Sequence, residues 1–136
     1  MTKVAIVGTS HNMTDNEERD VRQLIGLILN GYSKGDTVIT GGAKGVDSIA
    51  VSIAQTLGFN TMIIKPKSEN WDSYKERNLE IARYCDELYC ISIPVHTEKC
   101  YHHKEPQDHQ KTAGCWTMNK AIELGKDCKL LLSLPR

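Results

Sequence analysis

Three short segments of the chain place glycine or small hydroxyl residues where an apolar run gives way to a helical period: Gly8-Thr9-Ser10-His11, Gly41 to Asp47 (GGAKGVD), and Thr112 to Trp116. Corners of this kind suit anions. A helix N-terminus presents unpaired N–H groups and a partial positive charge, and glycine lets an oxygen reach the backbone with no Cβ in the way. Gly41, Gly42, Ala43 and Gly45 provide that backbone, and Lys44 adds one cation. GGAKG is neither GxGxxG nor the GxxxxGK[ST] phosphate loop, so the pattern does not support a nucleoside-triphosphate hydrolase. Asp47 falls in the first turn of the following helix, where a carboxylate either complements the helix dipole or accepts hydrogen bonds from ribose hydroxyls. Thr9 and Ser10 read as turn residues or as donors to phosphate oxygens. Arg77, beside Asn78, offers a planar fork for phosphate or a base edge. Ala113 and Gly114 bring the third corner to the same crevice.

A second concentration of chemistry lies between residues 96 and 115, which hold His96, His102, His103, His109, Cys100 and Cys115. Cys100-x2-His103-x5-His109-x5-Cys115 supplies two thiolates and two imidazoles, the donors that tetrahedral zinc takes, and its first pair has a usual ligand spacing. His102 can stand in for His103. With every position filled by protein, such a zinc is structural and holds a long loop in place of a missing core. The other reading is a polar loop whose cysteines and histidines are unpaired, or which folds over a ligand or partner.

These residues need elements to position them. Lys3 to Val7 is an apolar run of the kind found in a strand buried on both faces, which predicts a central position in a sheet. Thr14 and Glu17 form a capping-box pattern ahead of Val21, Leu24, Ile25, Ile28 and Leu29 at helical spacing. Thr37 to Thr40 is a second strand. The helix after it shows the clearest amphipathic pattern, with Val46, Ile49, Ala50, Ile53, Ala54 and Leu57 on one face and Gly58 as its stop. A third strand runs from Asn60 to Ile64, and a helix from about Ser73 to Tyr84 leads to a fourth strand, Glu87 to Ile93. After the polar stretch 95 to 112 come a helix, Ala113 to Gly125, and a last strand, Lys129 to Leu134. Strands alternate with helices and no hairpin signal appears. The expected fold is therefore α/β: a three-layer, Rossmann-like doubly wound sheet of about five mainly parallel strands with helices on both faces, in a single domain over residues 1–136. Its ligand crevice would lie at the carboxyl ends of the strands.

Bulk properties narrow the classes. Lys plus Arg and Asp plus Glu are each 17, so the formal charge is zero and nothing favours electrostatic coating of nucleic acid. Weak self-repulsion at zero charge favours a homo-oligomer. No run approaches the roughly 18 apolar residues of a membrane span, and the five cysteines lack the density of a secreted scaffold. Cytoplasm is the expected compartment, with no membrane partner and no redox cofactor.

Taken together, VAIVGTS, VITGGAKGVDSIA and the Arg77-Asn78 pair ahead of a cysteine- and aspartate-bearing strand entry resemble the SLOG superfamily. This is the nucleotide-binding fold shared by DNA-processing protein A and the Lonely Guy enzymes, and the likeness is greatest to small stand-alone members with a GGAxGxD turn. The resemblance implies a Rossmann-like sheet that binds a nucleotide or nucleotide-derived ligand as a sensor or binding domain. Gly8, Ser10, Gly41, Gly42, Gly45, Asp47, Arg77 and Asn78 stand on the matching positions. Two other functions follow from the same resemblance: a nucleoside 5′-monophosphate N-glycosidase and a nucleic-acid-associated domain. Lonely Guy enzymes carry PGGxGTxxE, with a catalytic glutamate, where this chain reads TAGCWTMNKA, with Thr117, Met118 and Asn119 in the region of the acid. A hydrolase would have to use Asp47.

Overall fold

Alternate side chains of the first strand, β1 (Lys3–Gly8), enter two separate cores. Val4 and Ile6 pack on one face and Ala5 and Val7 on the other, all of them buried. Burial on both faces is what a strand in the middle of a parallel sheet requires. A computed structural model describes residues 1–10, 13–93 and 113–132. The further strands are β2 (Thr37–Thr40), β3 (Asn60–Ile63), β4 (Glu87–Ser92) and β5 (Asp127–Leu132). They join in the order β3-β2-β1-β4-β5, with every pairing parallel. The helices are α1 (Asp15–Leu29), α2 (Val46–Thr56), α3 (Trp71–Tyr84) and α4 (Ala113–Glu123).

The helices divide between the faces. From α1 and α2, Val21, Ile25, Leu29, Val46, Ile49 and Ala50 cover Val4, Ile6, Val38 and Ile91. From α3 and α4, Ile81, Ala82, Cys115, Met118 and Ala121 cover Ala5, Val7, Ile39, Leu88 and Cys90. The three-layer expectation holds for the described residues. β1 sends the chain to β2 on one side, and β4 lies on its other side, so the loops leaving β1 and β4 part at their carboxyl ends. That divergence opens the crevice.

Local signals fix the helix starts. The capping box before α1 closes as the sequence predicts: Glu17 N donates to Thr14 Oγ1 at 3.2 Å, and Thr14 N donates to Glu17 Oε1 at 2.9 Å. α3 begins at Trp71, two residues ahead of Ser73, because Asn70 Oδ1 accepts from Ser73 N at 2.8 Å and caps the helix there. The last strand also starts earlier than Lys129. Glu123 ends α4, Gly125 turns the chain at φ +79°, and Asp127 pairs beside Glu87. Among the described residues no helix is long and apolar enough to cross a membrane.

Candidate ligand-binding site

At the carboxyl ends of β1, β2 and β3, between the starts of α3 and α4, lies a cavity of about 700 Å³. Two of its walls are corners built from glycine. Gly8 ends β1 against β4, so closely that a Cβ there would collide with the Ile91 carbonyl oxygen. Gly114, in the first turn of α4, rests on Gly8, and a Cβ on it would stand 2.7 Å from the Gly8 Cα and N. Only a glycine pair lets the helix start this near the strand end. Ser10, exposed, lines the same cavity.

The other corner connects β2 to α2. Gly45 stands before α2 at φ +81°, a conformation that strains residues with a Cβ. Beyond it Val46 N donates to Thr9 O at 3.0 Å, which ties α2 to the β1 loop. Asp47 is buried in the first turn. Its carboxylate turns back on the corner, accepting from Gly41 N at 2.9 Å through Oδ2 and also from the Ala43 amide. Gly42 N donates to Thr40 Oγ1 at 3.2 Å. Three successive amides that the sequence offers to a phosphate are therefore answered by side chains of the protein itself. Lys44 is exposed on the cavity lining.

Across the cavity α3 contributes Arg77 and Asn78, both buried. Arg77 Nη1 donates to Gly41 O at 2.7 Å, and its Nε donates to Asn78 Oδ1 at 2.7 Å. The guanidinium also sits 5.7 Å from the centre of the Tyr74 ring, so one side of its fork is stacked and the other is hydrogen-bonded. Gly41 is thus held twice, its amide by Asp47 and its carbonyl by Arg77. Burial pushes the Asp47 carboxyl up to about 6, against the opposing pull of the Gly41 amide, the Arg77 charge and the Ala43 amide. Burial also lowers the Arg77 pKa, and the Asp47 charge counters it. Lys65 and Lys67 stand on the outer lining with Glu69, and Lys67 is engaged with Glu76 at 3.4 Å. The interior has one acid facing one base, and the mouth carries an excess of cations.

Of the residues the sequence singles out, the structure gathers Gly8, Ser10, Gly41, Gly42, Ala43, Lys44, Asp47, Arg77, Asn78 and Gly114 on this lining. Gly45 shapes it from behind. Thr9 is placed elsewhere: it is fully buried, its N donates to Ile91 O at 3.1 Å, and its Oγ1 accepts from Ile93 N at 3.1 Å. It joins strands and stands off the cavity lining. Ala113 begins α4. Sequence reasoning passed over Val7, Lys65, Pro66, Lys67, Ser68 and Glu69, and it named Thr117 only as standing in the region of a missing acid; the lysines follow an edge strand, and the sheet order is what brings them to the crevice. Cys115 is fully buried between α4 and β4, its Sγ 4.0 Å from Cys90 Sγ and 3.6 Å from Ser92 Oγ. Cys100, His103 and His109, the other three residues of the zinc expectation, lie outside the described residues. Among the described residues no group of three or more metal-ligating side chains comes together.

Comparison with solved structures finds the same architecture. DNA processing protein A (DprA) from Streptococcus pneumoniae matches with a TM-score of 0.68 at 18% identity, over 95% of this chain and 50% of that one. The chain thus spans about half the length of that protein. TM1055, a structural-genomics target, matches with a TM-score of 0.65 at 21% identity, over 94% of this chain and 72% of the other. No protein-family model matches the chain, and no curated protein sequence does. The two structural likenesses establish that the chain shares the three-layer, Rossmann-like α/β fold of those proteins.

Proposed function

We propose that this chain, with its SLOG-like fold, binds a nucleotide or nucleotide-derived ligand in the cavity at the switch point. The observation that carries the reading is the wall where Gly114 of α4 rests on Gly8 of β1. It brings the positive end of a helix to the cavity with no side chain in between, and that is the requirement for holding a phosphate. The turn after β2 has its amides engaged by Asp47 and Thr40, so the phosphate belongs at the α4 corner, beside Ser10 and toward the cationic mouth. A cavity of about 700 Å³ is of the size that takes a drug-sized ligand. The test is calorimetric titration with nucleoside mono-, di- and triphosphates, together with mass spectrometry of small molecules that copurify. Saturable binding that inorganic phosphate weakens supports the reading. Absence of any nucleotide binding refutes it.

One observation favours a second reading, N-glycoside hydrolysis. Asp47 is a buried carboxyl on the cavity lining whose pKa is pushed up to about 6, the environment that keeps an acid available near neutral pH. Release of free base from nucleoside monophosphates, lost in Asp47→Asn, would establish that activity. The DNA named in the DprA comparison suggests a third reading, to which a formal net charge of zero lends no support.

A further inference from the structure

The carboxamide of Asn78 is half used. Arg77 Nε can only donate, so the atom facing it at 2.7 Å is the Asn78 oxygen, and this fixes which way the amide lies. Nδ2 is left with no hydrogen-bond partner among the described residues, although Asn78 is only 4% exposed. A buried amide donor without an acceptor costs stability, and such groups are rare enough to call for a cause. Asn78 lines the cavity, and so does Asp47. The Asp47 carboxylate accepts from the Gly41 and Ala43 amides and still has lone pairs to spare. Arg77 links the two residues, holding Asn78 through Nε and the Gly41 carbonyl through Nη1.

An idle donor and an underused anionic acceptor on one cavity select the chemistry of what fits them. A phosphate oxygen would satisfy Asn78 but meet repulsion from Asp47. An ammonium group would satisfy Asp47 and leave Asn78 idle. A hydroxyl accepts from the one and donates to the other. Building on the nucleotide reading above, we infer that Asn78 is a specificity-determining residue for the sugar: Nδ2 donates to the ribose 2′-hydroxyl oxygen, whose proton is directed to Asp47, so the site selects ribonucleotides over 2′-deoxyribonucleotides.

The experiment is titration of the wild-type protein with the common nucleoside 5′-monophosphates and their 2′-deoxy counterparts, repeated with Asn78→Asp. The variant keeps the oxygen that Arg77 needs and replaces only the donor. Wild type is expected to bind the ribonucleotide about 10-fold more tightly. In Asn78→Asp that ratio should fall to about twofold or less. The ratio is the readout because repulsion from the added carboxylate acts on both members of each pair. Asn78→Ser, checked for an unchanged melting curve, serves if the first variant does not fold. Equal binding of ribo- and deoxyribonucleotide by wild type overturns the inference while leaving the nucleotide reading intact, as does a preference that survives both variants. Failure of wild type to bind any nucleotide removes the nucleotide reading, and this inference with it.

Discussion

The two glycine corners of the cavity look alike in sequence and are built on different physics. At the turn between β2 and α2, the amides of Gly41, Gly42 and Ala43 are met by Asp47 and Thr40, and Arg77 takes the Gly41 carbonyl. Glycine there is part of a polar network that already engages its own amides. At the other corner, Gly8 and Gly114 touch backbone to backbone, and glycine is needed because nothing larger fits. Glycine spacing alone therefore does not reveal which corner is free to hold an anion. The side chains that follow the two corners differ: Asp47 turns back on its own loop, and α4 has no acid in its first turn.

Breaking the steric corner should have the largest effect. Gly8→Ala drives a methyl into the Ile91 carbonyl at the centre of the sheet, where neither backbone can yield without parting β1 from β4. We expect a loss of about 3 kcal/mol or more in urea unfolding. Gly114→Ala should cost less, because α4 can back away from Gly8, and it should weaken nucleotide binding by more than its effect on stability explains.

Breaking the polar corner should come second. Asp47→Ala removes the acceptor for two amides and the countercharge of Arg77, for an expected loss of about 2 kcal/mol. The pH dependence carries the sharper signature. The folded-state pKa of Asp47, about 6, lies above its ordinary 3.8, so between those values the folded protein holds the proton more tightly than the unfolded chain. The contribution of Asp47 to stability is therefore fully favourable below about pH 4 and falls, by an amount on the order of 3 kcal/mol, as pH rises through 6. Asp47→Asn should remove that slope. Unfolding free energies measured from pH 4 to 7 on both proteins check it, and an unchanged slope in the variant would contradict the burial of Asp47.

This contrast also shows what the sequence made readable. The sheet was legible because Val4, Ile6, Val38 and Ile39 form unbroken apolar runs and each helix repeats at its own period. The placing of β1 at the centre followed from the same pattern. Most of the lining was legible as well, since glycine marks the ends of strands. The partners of those glycines were hidden: no spacing rule tells that Asp47 reaches back six residues to Gly41, or that Arg77 crosses the crevice to the same residue. Both are tertiary contacts between elements whose separation depends on packing. Lys65 and Lys67 were missed for a related reason, because a cation just after an edge strand signals nothing until the sheet order brings it to the crevice.

The finest form of the comparison lies within the β1 corner, between adjacent residues of similar chemistry. Thr9 is fully buried, and its hydroxyl accepts from Ile93 N, while Ser10 is exposed on the cavity lining. Thr9→Val keeps the shape and leaves the Ile93 amide without its acceptor, so it should cost about 1 kcal/mol of stability. Ser10→Ala should leave the unfolding curve in place and weaken nucleotide binding about threefold, the size expected for one exposed hydroxyl donor. The two losses should also be independent. Thr9 acts by fixing where β4 leaves the sheet, so any effect of Thr9→Val on binding should track its loss of stability across temperature, whereas that of Ser10→Ala should not. Calorimetric titration beside thermal melts of the single and double variants separates them. A Ser10→Ala protein that binds as well as wild type would move the phosphate away from the α4 corner, toward the lysines at the mouth.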